Sequence, residues 1–268
     1  MSKITAQSIW EDVGKIRDKA PLVHNITNYV VMNTTANALL SIGASPVMAH
    51  AEQEVEDMVQ LASALVINIG TLSEHWIRAM ERAMKQAQSK RIPIIFDPVG
   101  AGATPYRTET ARKLIRAISP AIIRGNASEI MAVAADGAQT KGVDSLHTTD
   151  AAFEAAQHLA KQYGSVVCIS GAEDIIVDNN HFVRVKNGHP LMGRVTGMGC
   201  TATAICGAFA AVNADPFQAA THAMITMGIA GEIAAEIAHG PGTMQLYFLD
   251  ALHQVNQSDI EKRIKIEG

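Results

Sequence analysis

The segment that decides the fold of this chain reads RVTGMGCTATA over residues 194–204 and leads into a long helix of small residues. Gly197 and Gly199 let the backbone turn so that consecutive amide N–H groups point into one small space. The free amides of the first helical turn and the positive end of the helix dipole add to that space. Cys200 follows at the helix N-terminus, where a thiolate is stabilised. The segment predicts a pocket for a phosphate group, against the alternative of a purely structural turn.

The composition indicates one sizeable core and excludes several classes of partner. Of 268 residues, 48% are hydrophobic and only 4% aromatic, which suits parallel strands covered by helices of small residues. A net charge of −4 without any basic run argues against nucleic acid as a partner. The longest apolar runs have the length of strands and are too short to cross a membrane. The chain has three cysteines, and none of them has CxxC spacing, so we expect neither disulfides nor structural zinc. We find no leader within residues 1–18, and we therefore expect a reducing cytoplasm as the compartment.

Short apolar runs alternate with amphipathic stretches, a pattern typical of βαβ units and a mostly parallel sheet. The predicted strands cover residues 21–27, 44–49, 64–70, 93–99, 121–126 and 165–170. The predicted helices cover residues 30–42, 55–63, 73–90, 108–119 and 150–163. Residues 174–178 and 181–186 predict an antiparallel hairpin, and the chain is predicted to be largely helical from 199 to about 255. We therefore expect one α/β domain over residues 1–268, with a solvated tail at 261–268.

Polar residues follow directly on several predicted strands, and open α/β sheets bind ligands at that edge. Asp97 ends one apolar strand, where its carboxylate either meets a hydrated cation or braces the glycine-rich loop that follows. Arg124 ends another, and its planar fork suits phosphate oxygens. Glu129 either lies near a Mg²⁺-bound water or completes a capping box with Asn126. Ser170 is in position to donate to a phosphate.

The N-terminal third offers a different chemistry. Asn25 and Asn28 supply amide donors and acceptors beyond the first predicted strand. Met48, between a proline and the edge of the sheet, is either a core residue or the wall of a pocket for a flat ring. These residues predict the side of the site that receives a small-molecule acceptor.

Five ordered motifs resemble the ribokinase-like superfamily and, within it, the hydroxyethylthiazole kinase family. They are listed here in chain order: VHNITN at 23–28, GASPVM at 43–48, DPVGAG at 97–102, RGNASEI at 124–130 and TGMGC at 196–200. The superfamily usually ends its GxGD element with an aspartate that acts as the base. Cys200 replaces that aspartate here, as it does in members of the thiazole kinase family.

The resemblance implies a ribokinase-like three-layer sandwich and a magnesium-dependent transferase of thiamine biosynthesis. Its reaction is transfer of the ATP γ-phosphate to the hydroxyl of 4-methyl-5-(2-hydroxyethyl)thiazole. The resemblance implies that Met48, Asn25 and Gly197 contact the substrate and that Arg124 and Ser170 contact ATP. It also implies that Asp97 and Glu129 organise Mg²⁺. The amides from Gly197 to Cys200 would form the anion hole. The family's assembly implies a homotrimer with the thiazole pocket between subunits.

Three other functions remain open at this stage. An ATP-dependent dehydratase that repairs hydrated nicotinamide nucleotides shares the scaffold but keeps an acid where Cys200 stands. A pyridoxal or hydroxymethylpyrimidine kinase fits Asn25, Asn28 and Met48 less well. A nucleotide sensor without turnover does not explain why Asp97 and Cys200 are both present.

Overall fold

The structure is a computed structural model that describes residues 4–135 and 148–268. Its centre is a sheet with strand order β2-β1-β3-β4-β5-β6-β7-β8-β9. The strands are β1 Leu22–Ile26, β2 Ser45–Val47, β3 Ala64–Asn68, β4 Ile94–Asp97, β5 Ile122–Asn126, β6 Val166–Ser170, β7 Asp174–Val177, β8 Phe182–Val185 and β9 Ile266–Glu267. The helices are α1 Ala6–Lys19, α2 Met32–Ile42, α3 Val55–Leu61, α4 Glu74–Lys90, α5 Pro105–Ala117, α6 Ala127–Ala134, α7 Thr148–Tyr163, α8 Met198–Ala210, α9 Pro216–Ile237, α10 Pro241–Gln254 and α11 Gln257–Arg263.

Strands β1 to β6 pair in parallel, and β7, β8 and β9 continue the sheet in antiparallel order. The parallel register brings strand ends side by side. Asn68 pairs with Asp97, and Asn126 pairs with Ser170. The last residues of four parallel strands therefore lie along one edge, where the chain leaves the sheet for polar loops.

Helices cover both faces of the sheet, which confirms the predicted three-layer α/β architecture. Side chains alternate between the two faces along each strand. On β4, Ile95 belongs to the apolar cluster that includes α1, α2, α8, α9 and α10. Ile94 and Phe96 belong to the opposite cluster, with residues of α3 to α7. Strands buried on both faces need continuous apolar runs, and all five residues of β3 are buried.

The end of the chain differs from the prediction. Residues 261–268 were expected to be a solvated tail, but α11 extends to Arg263 and Ile266–Glu267 form β9 at the edge of the sheet. Arg184 and Val185 of β8 pair with β9 in antiparallel register. The backbone of a charged segment can still pair at the edge of a sheet. Side-chain polarity alone therefore led to a wrong prediction for the secondary structure of residues 261–268.

Helix α1 was also missing from the predicted elements. A capping box starts it, because Thr5 and Ser8 exchange side-chain and backbone hydrogen bonds. Buried Asp12 then accepts from His222 Nδ1 of α9 at 2.8 Å and from Asn213 Nδ2 at 2.6 Å. Ser8 Oγ lies 3.4 Å from His222 Nε2, but it donates to the Thr5 carbonyl. These contacts join α1 to α9.

None of the described helices combines the length and the apolar character that crossing a lipid bilayer requires.

Candidate active site

The N-terminus of α8 is built to receive an anion. Gly197 is its N-cap with φ +82°, a left-handed conformation that favours glycine. The first backbone bond of the helix runs from Thr201 N to the Gly197 carbonyl at 2.8 Å. The amides of Met198, Gly199 and Cys200 precede that bond and have no partner within the helix. They point beyond the helix end, where the dipole favours negative charge.

Asp97 lies beneath this helix end and is only 1% exposed. Its Oδ2 accepts from Thr203 Oγ1 at 2.7 Å and from Asn68 Nδ2 at 3.1 Å. Its Oδ1 is buried and has no hydrogen-bond partner among the described residues. Burial raises the pKa of Asp97 to about 6, although the nearby Arg124 charge works against that rise. A buried carboxylate with one unpartnered oxygen suits a cation brought in with the substrate.

Arg124 and Ser170 come together beside the same helix end. Arg124 Nη2 donates to Ser170 Oγ at 2.5 Å. The guanidinium also lies against Gly199, where a Cβ would come within 2.7 Å of Nη1. Arg124 Nε is buried without a partner among the described residues. The positive charge is therefore held next to the free amides of α8, and Gly199 provides the space for it.

Glu129 has the capping-box geometry that was one of its two predicted interpretations. Its Oε2 accepts from the amide of Asn126 at 2.8 Å, and the Asn126 side chain accepts from the amide of Glu129 at 2.9 Å. Its Oε1 accepts from the amide of Gly100 at 2.8 Å, in the loop after Asp97. Glu129 thus ties the start of α6 to the Asp97 loop. Within the described residues, no group of three or more His, Cys, Asp or Glu side chains is arranged to hold a metal ion by itself.

Hydrogen bonds through two asparagine side chains connect Cys200 to Asp97. Asn28 Nδ2 lies 3.5 Å from Cys200 Sγ and donates to Asn68 Oδ1 at 3.0 Å. Asn68 in turn donates to Asp97. Burial, reinforced by the Asp97 charge, raises the pKa of Cys200 to about 11. The helix N-terminus was expected to stabilise a thiolate, but loss of hydration outweighs it, so the thiol is the resting form.

Two of the three predicted acceptor contacts, Asn25 and Met48, share no described hydrogen bond with Asn28, Asn68 or Cys200. Asn25 is 1% exposed, and its Nδ2 donates to the carbonyl of Val23 in its own strand at 2.9 Å. Met48 is half-buried and directly follows β2. No described hydrogen bond links Asn25 to Cys200, whereas Asn28 does contact the sulfur. Asn68 ends its apolar strand just as Asp97 does, within the predicted edge of polar strand ends, although no role was predicted for it. Thr203, which was not predicted, also contacts Asp97.

The aromatic side chains of Tyr29, His50 and Trp76 form a cluster beyond the ends of β1 and β2. The rings of His50 and Trp76 are 4.5 Å apart, and those of Tyr29 and Trp76 are 4.9 Å apart. Tyr29 is 63% exposed and its neighbour Val30 is 69% exposed. This edge of the molecule therefore presents apolar surface to solvent beside the residues of the predicted acceptor side.

A cleft of about 440 Å³ opens on the other side of the α8 N-terminus. Arg124, Ser170 and Gly199 are among the residues that line it, together with Asp174. Apolar side chains from α8, α9 and the preceding loop cover its walls: Met192, Met198, Ala202, Met224 and Met227. A volume of that size with a cationic side chain and apolar walls fits a nucleotide, whose phosphates need charge and whose base needs apolar contact.

Comparison with known proteins finds one family over nearly the whole chain. The sequence profile of the hydroxyethylthiazole kinase family matches residues 13–258. A hydroxyethylthiazole kinase from Syntrophus aciditrophicus (strain SB) is 58% identical over 265 residues, which cover 98% of this chain and 98% of that protein.

Solved structures agree with that match. A hydroxyethylthiazole kinase protein from Pyrococcus horikoshii OT3 superposes with a TM-score of 0.89 at 42% identity, covering 97% of this chain and 98% of that one. A ribokinase-like superfamily protein from Enterococcus faecalis V583 superposes with a TM-score of 0.65 at 13% identity, covering 96% of this chain and 91% of that one. The second likeness concerns the fold alone, and it confirms the ribokinase-like architecture.

Proposed function

The chain belongs to the hydroxyethylthiazole kinase family, and on that premise we propose its reaction: transfer of the ATP γ-phosphate to the hydroxyl of 4-methyl-5-(2-hydroxyethyl)thiazole. The product is the thiazole phosphate used in thiamine biosynthesis or salvage. The observation that carries this proposal is the N-terminus of α8. Its free amides lie next to the guanidinium of Arg124, and the same first turn carries the thiol of Cys200. We assign the whole chain, residues 1–268, to one kinase domain in the cytoplasm, and the free thiols of Cys168, Cys200 and Cys206 support a reducing compartment.

ATP would enter the cleft with its triphosphate toward Arg124 and Ser170. The base would lie against the methionines of α8 and α9, which adapt easily to a flat ring. Mg²⁺ would be held near Asp97, with Glu129 reaching it through water. The unpartnered Oδ1 of Asp97 supports this assignment, because magnesium keeps several waters and takes few carboxylates. When bound, the ion would neutralise charge on the phosphate oxygens.

The residues of this chain then position the transfer. The transition state is loose, so alignment and charge stabilisation supply most of the acceleration. The amides from Gly197 to Cys200 receive the charge on the transferred group, and Arg124 holds the triphosphate in line. The acceptor hydroxyl would approach Cys200 from the side of Asn28. Met48, Asn25 and Gly197 would supply the substrate contacts that the family resemblance implies.

Cys200 has a limited part in proton transfer under this proposal. With a pKa of about 11, roughly one thiol in 10⁴ is ionised at pH 7. We expect Cys200→Ala to lower kcat by less than about tenfold, because base catalysis contributes about 10²–10⁴-fold only when the base is ionised. We expect Cys200→Asp to retain or raise kcat, because a carboxylate is a ready acceptor. Steady-state kinetics at pH 7.5 measure both; loss of all turnover in Cys200→Asp contradicts this account.

We also propose a homotrimer with the acceptor pocket between subunits, supported by the exposed apolar side chains of Tyr29 and Val30 next to the acceptor side. Val30→Glu should dissociate the assembly, because it places a charge in an apolar contact. Light scattering should then report a single chain, with the KM for the thiazole raised at least about tenfold and nucleotide binding retained. A monomeric wild-type protein contradicts the proposal.

The decisive experiment for the proposed function measures ADP released from MgATP with three acceptors. They are the thiazole alcohol, 4-amino-5-hydroxymethyl-2-methylpyrimidine and pyridoxal, beside a control without acceptor. ADP formed only with the thiazole, matched by thiazole phosphate, supports the proposal. Turnover only with another alcohol keeps the nucleotide site and overturns the acceptor. No turnover with any of them favours the dehydratase or the sensor.

A further inference from the structure

One wall of the nucleotide cleft is a loop that packs on α9 without spare room. Residues Asn187, Gly188, His189, Pro190, Met192 and Gly193 of this loop line the cleft. A Cβ on Gly228 of α9 would come within 2.6 Å of Asn187 Cβ, and one on Gly231 would collide with the sulfur of Met192. Two glycines one turn apart therefore let the loop approach the helix backbone.

The loop is also tied to the C-terminal segment by a set of hydrogen bonds that we name the latch: Asn187, Glu232 and Lys265. Asn187, which is 5% exposed, donates from Nδ2 to Glu232 Oε1 at 3.1 Å and to the Arg263 carbonyl at 2.7 Å. Its Oδ1 accepts from the amide of Lys265 at 3.0 Å. The Asn187 side chain therefore uses both of its N–H donors and its carbonyl acceptor. It joins the loop to α9 and to the C-terminal segment.

Glu232 completes the latch from α9. Its Oε1 accepts from the amide of Gly188 at 3.1 Å and from Lys265 Nζ at 3.0 Å, and its side chain is only 11% exposed. Met224, Met227 and Gly228 line the cleft, and Glu232 lies one turn beyond them on the same face of α9. Asn187 of the latch lines the cleft, whereas Glu232 and Lys265 lie behind the cleft wall.

We propose that the latch is a positioning device for the nucleotide, by which the C-terminal segment holds the cleft wall in its binding conformation. This rests on the proposed function, since it assigns the nucleotide to this cleft. The physical reason is conformational selection: a loop that spends only a tenth of its time in the binding form weakens apparent affinity about tenfold. The acceptor side, built from the ends of β1 and β2, shares no described contact with the latch.

The test compares two ways of opening the latch with a matched control. Asn187→Ala removes the central amide, and Lys265→Pro removes the backbone donor to it together with the ammonium. Lys262→Ala, an exposed lysine of α11 outside the latch, is the control. We expect the two latch variants to raise the KM for MgATP about five- to tenfold, with kcat and the KM for the thiazole within about twofold of wild type. Glu232→Gln, which keeps the acceptor oxygen, should remain near wild type, whereas Glu232→Ala should match Asn187→Ala.

Calorimetric titration with a non-hydrolysable ATP analogue separates this inference from the proposed function. The affinity for the analogue should fall by the same five- to tenfold factor in the latch variants, about 1–1.4 kcal/mol, whatever the acceptor is. Unchanged affinity, or equal rises in both KM values with a lowered melting temperature, overturns the positioning role. A wild-type chain that binds the analogue but does not phosphorylate the thiazole overturns the proposed function and leaves the latch supported.

Discussion

Replacing Gly197 with alanine is expected to lower kcat by about 10²–10³-fold, the loss that follows removal of one well-aimed donor from an anion hole. Gly197 has φ +82°, which costs an alanine about 1–2 kcal/mol. The new Cβ would also come within 2.7 Å of Val31 Cγ1. Both effects turn the first amides of α8 away from the transferred phosphate. Steady-state kinetics give kcat, and thermal unfolding shows whether the variant is folded.

Two further variants separate the backbone effect from the collision. Val31→Ala with Gly197→Ala relieves the contact and keeps the strain, so we expect only partial recovery of kcat. Gly14→Ala in α1 is the control, because nothing lies within 4 Å of its added Cβ; it should leave kcat unchanged. Full recovery in the double variant would mean that the amides do not depend on the left-handed cap.

The second large effect is expected from Asp97→Asn, which should lower kcat about 10²–10³-fold and stabilise the protein at pH 8. The activity loss follows from removal of the charge that would hold Mg²⁺ against the phosphates, a contribution of several kcal/mol. The amide keeps an oxygen for Thr203 and Asn68, so the fold should be retained. Activity across a magnesium titration measures the first effect and thermal unfolding the second.

The pH dependence of that stabilisation has a definite sign. The folded state raises the pKa of Asp97 from 3.8 to about 6, mainly by burial. The raised pKa therefore contributes stability that is fully present below pH 3.8 and is lost as pH rises through about 6. At pH 8 the buried charge costs the folded wild type about 3 kcal/mol, which asparagine avoids. The advantage of Asp97→Asn should shrink as pH falls below 6; an advantage independent of pH contradicts the assignment.

Much of the fold and part of the site could be predicted from the sequence. Apolar runs followed by Asp97, Arg124 and Ser170 identified strands that end at one edge, because buried parallel strands need such runs and polar residues there face ligands. The Gly197-Met198-Gly199-Cys200 motif predicted a glycine turn into a helix N-terminus, and the structure has that turn. Its role in binding phosphate stays a prediction. The roles of Asn25 and Met48 toward a substrate stay predictions.

What the sequence could not provide are properties that depend on three-dimensional neighbours. Thr203 lies in a run of small helical residues, and only the fold shows that its hydroxyl donates to Asp97. The thiol of Cys200 appears activated when only the helix end is considered, but the surrounding protein removes water from it and raises its pKa. Strand β9 depends on pairing with β8 rather than on its own residues.

Helix α8 has one more consequence, for how this enzyme can change over evolutionary time. Residues 201–210 behind the anion site are all buried, and a Cβ on Gly207 would come within 2.8 Å of Val66. A substitution that repacks this layer also moves the free amides at the start of α8, because both belong to one helix. The aromatic edge around Tyr29 packs through Trp76 on the apolar cluster of the opposite face of the sheet. A change of acceptor preference there therefore does not require repacking of the layer that holds α8.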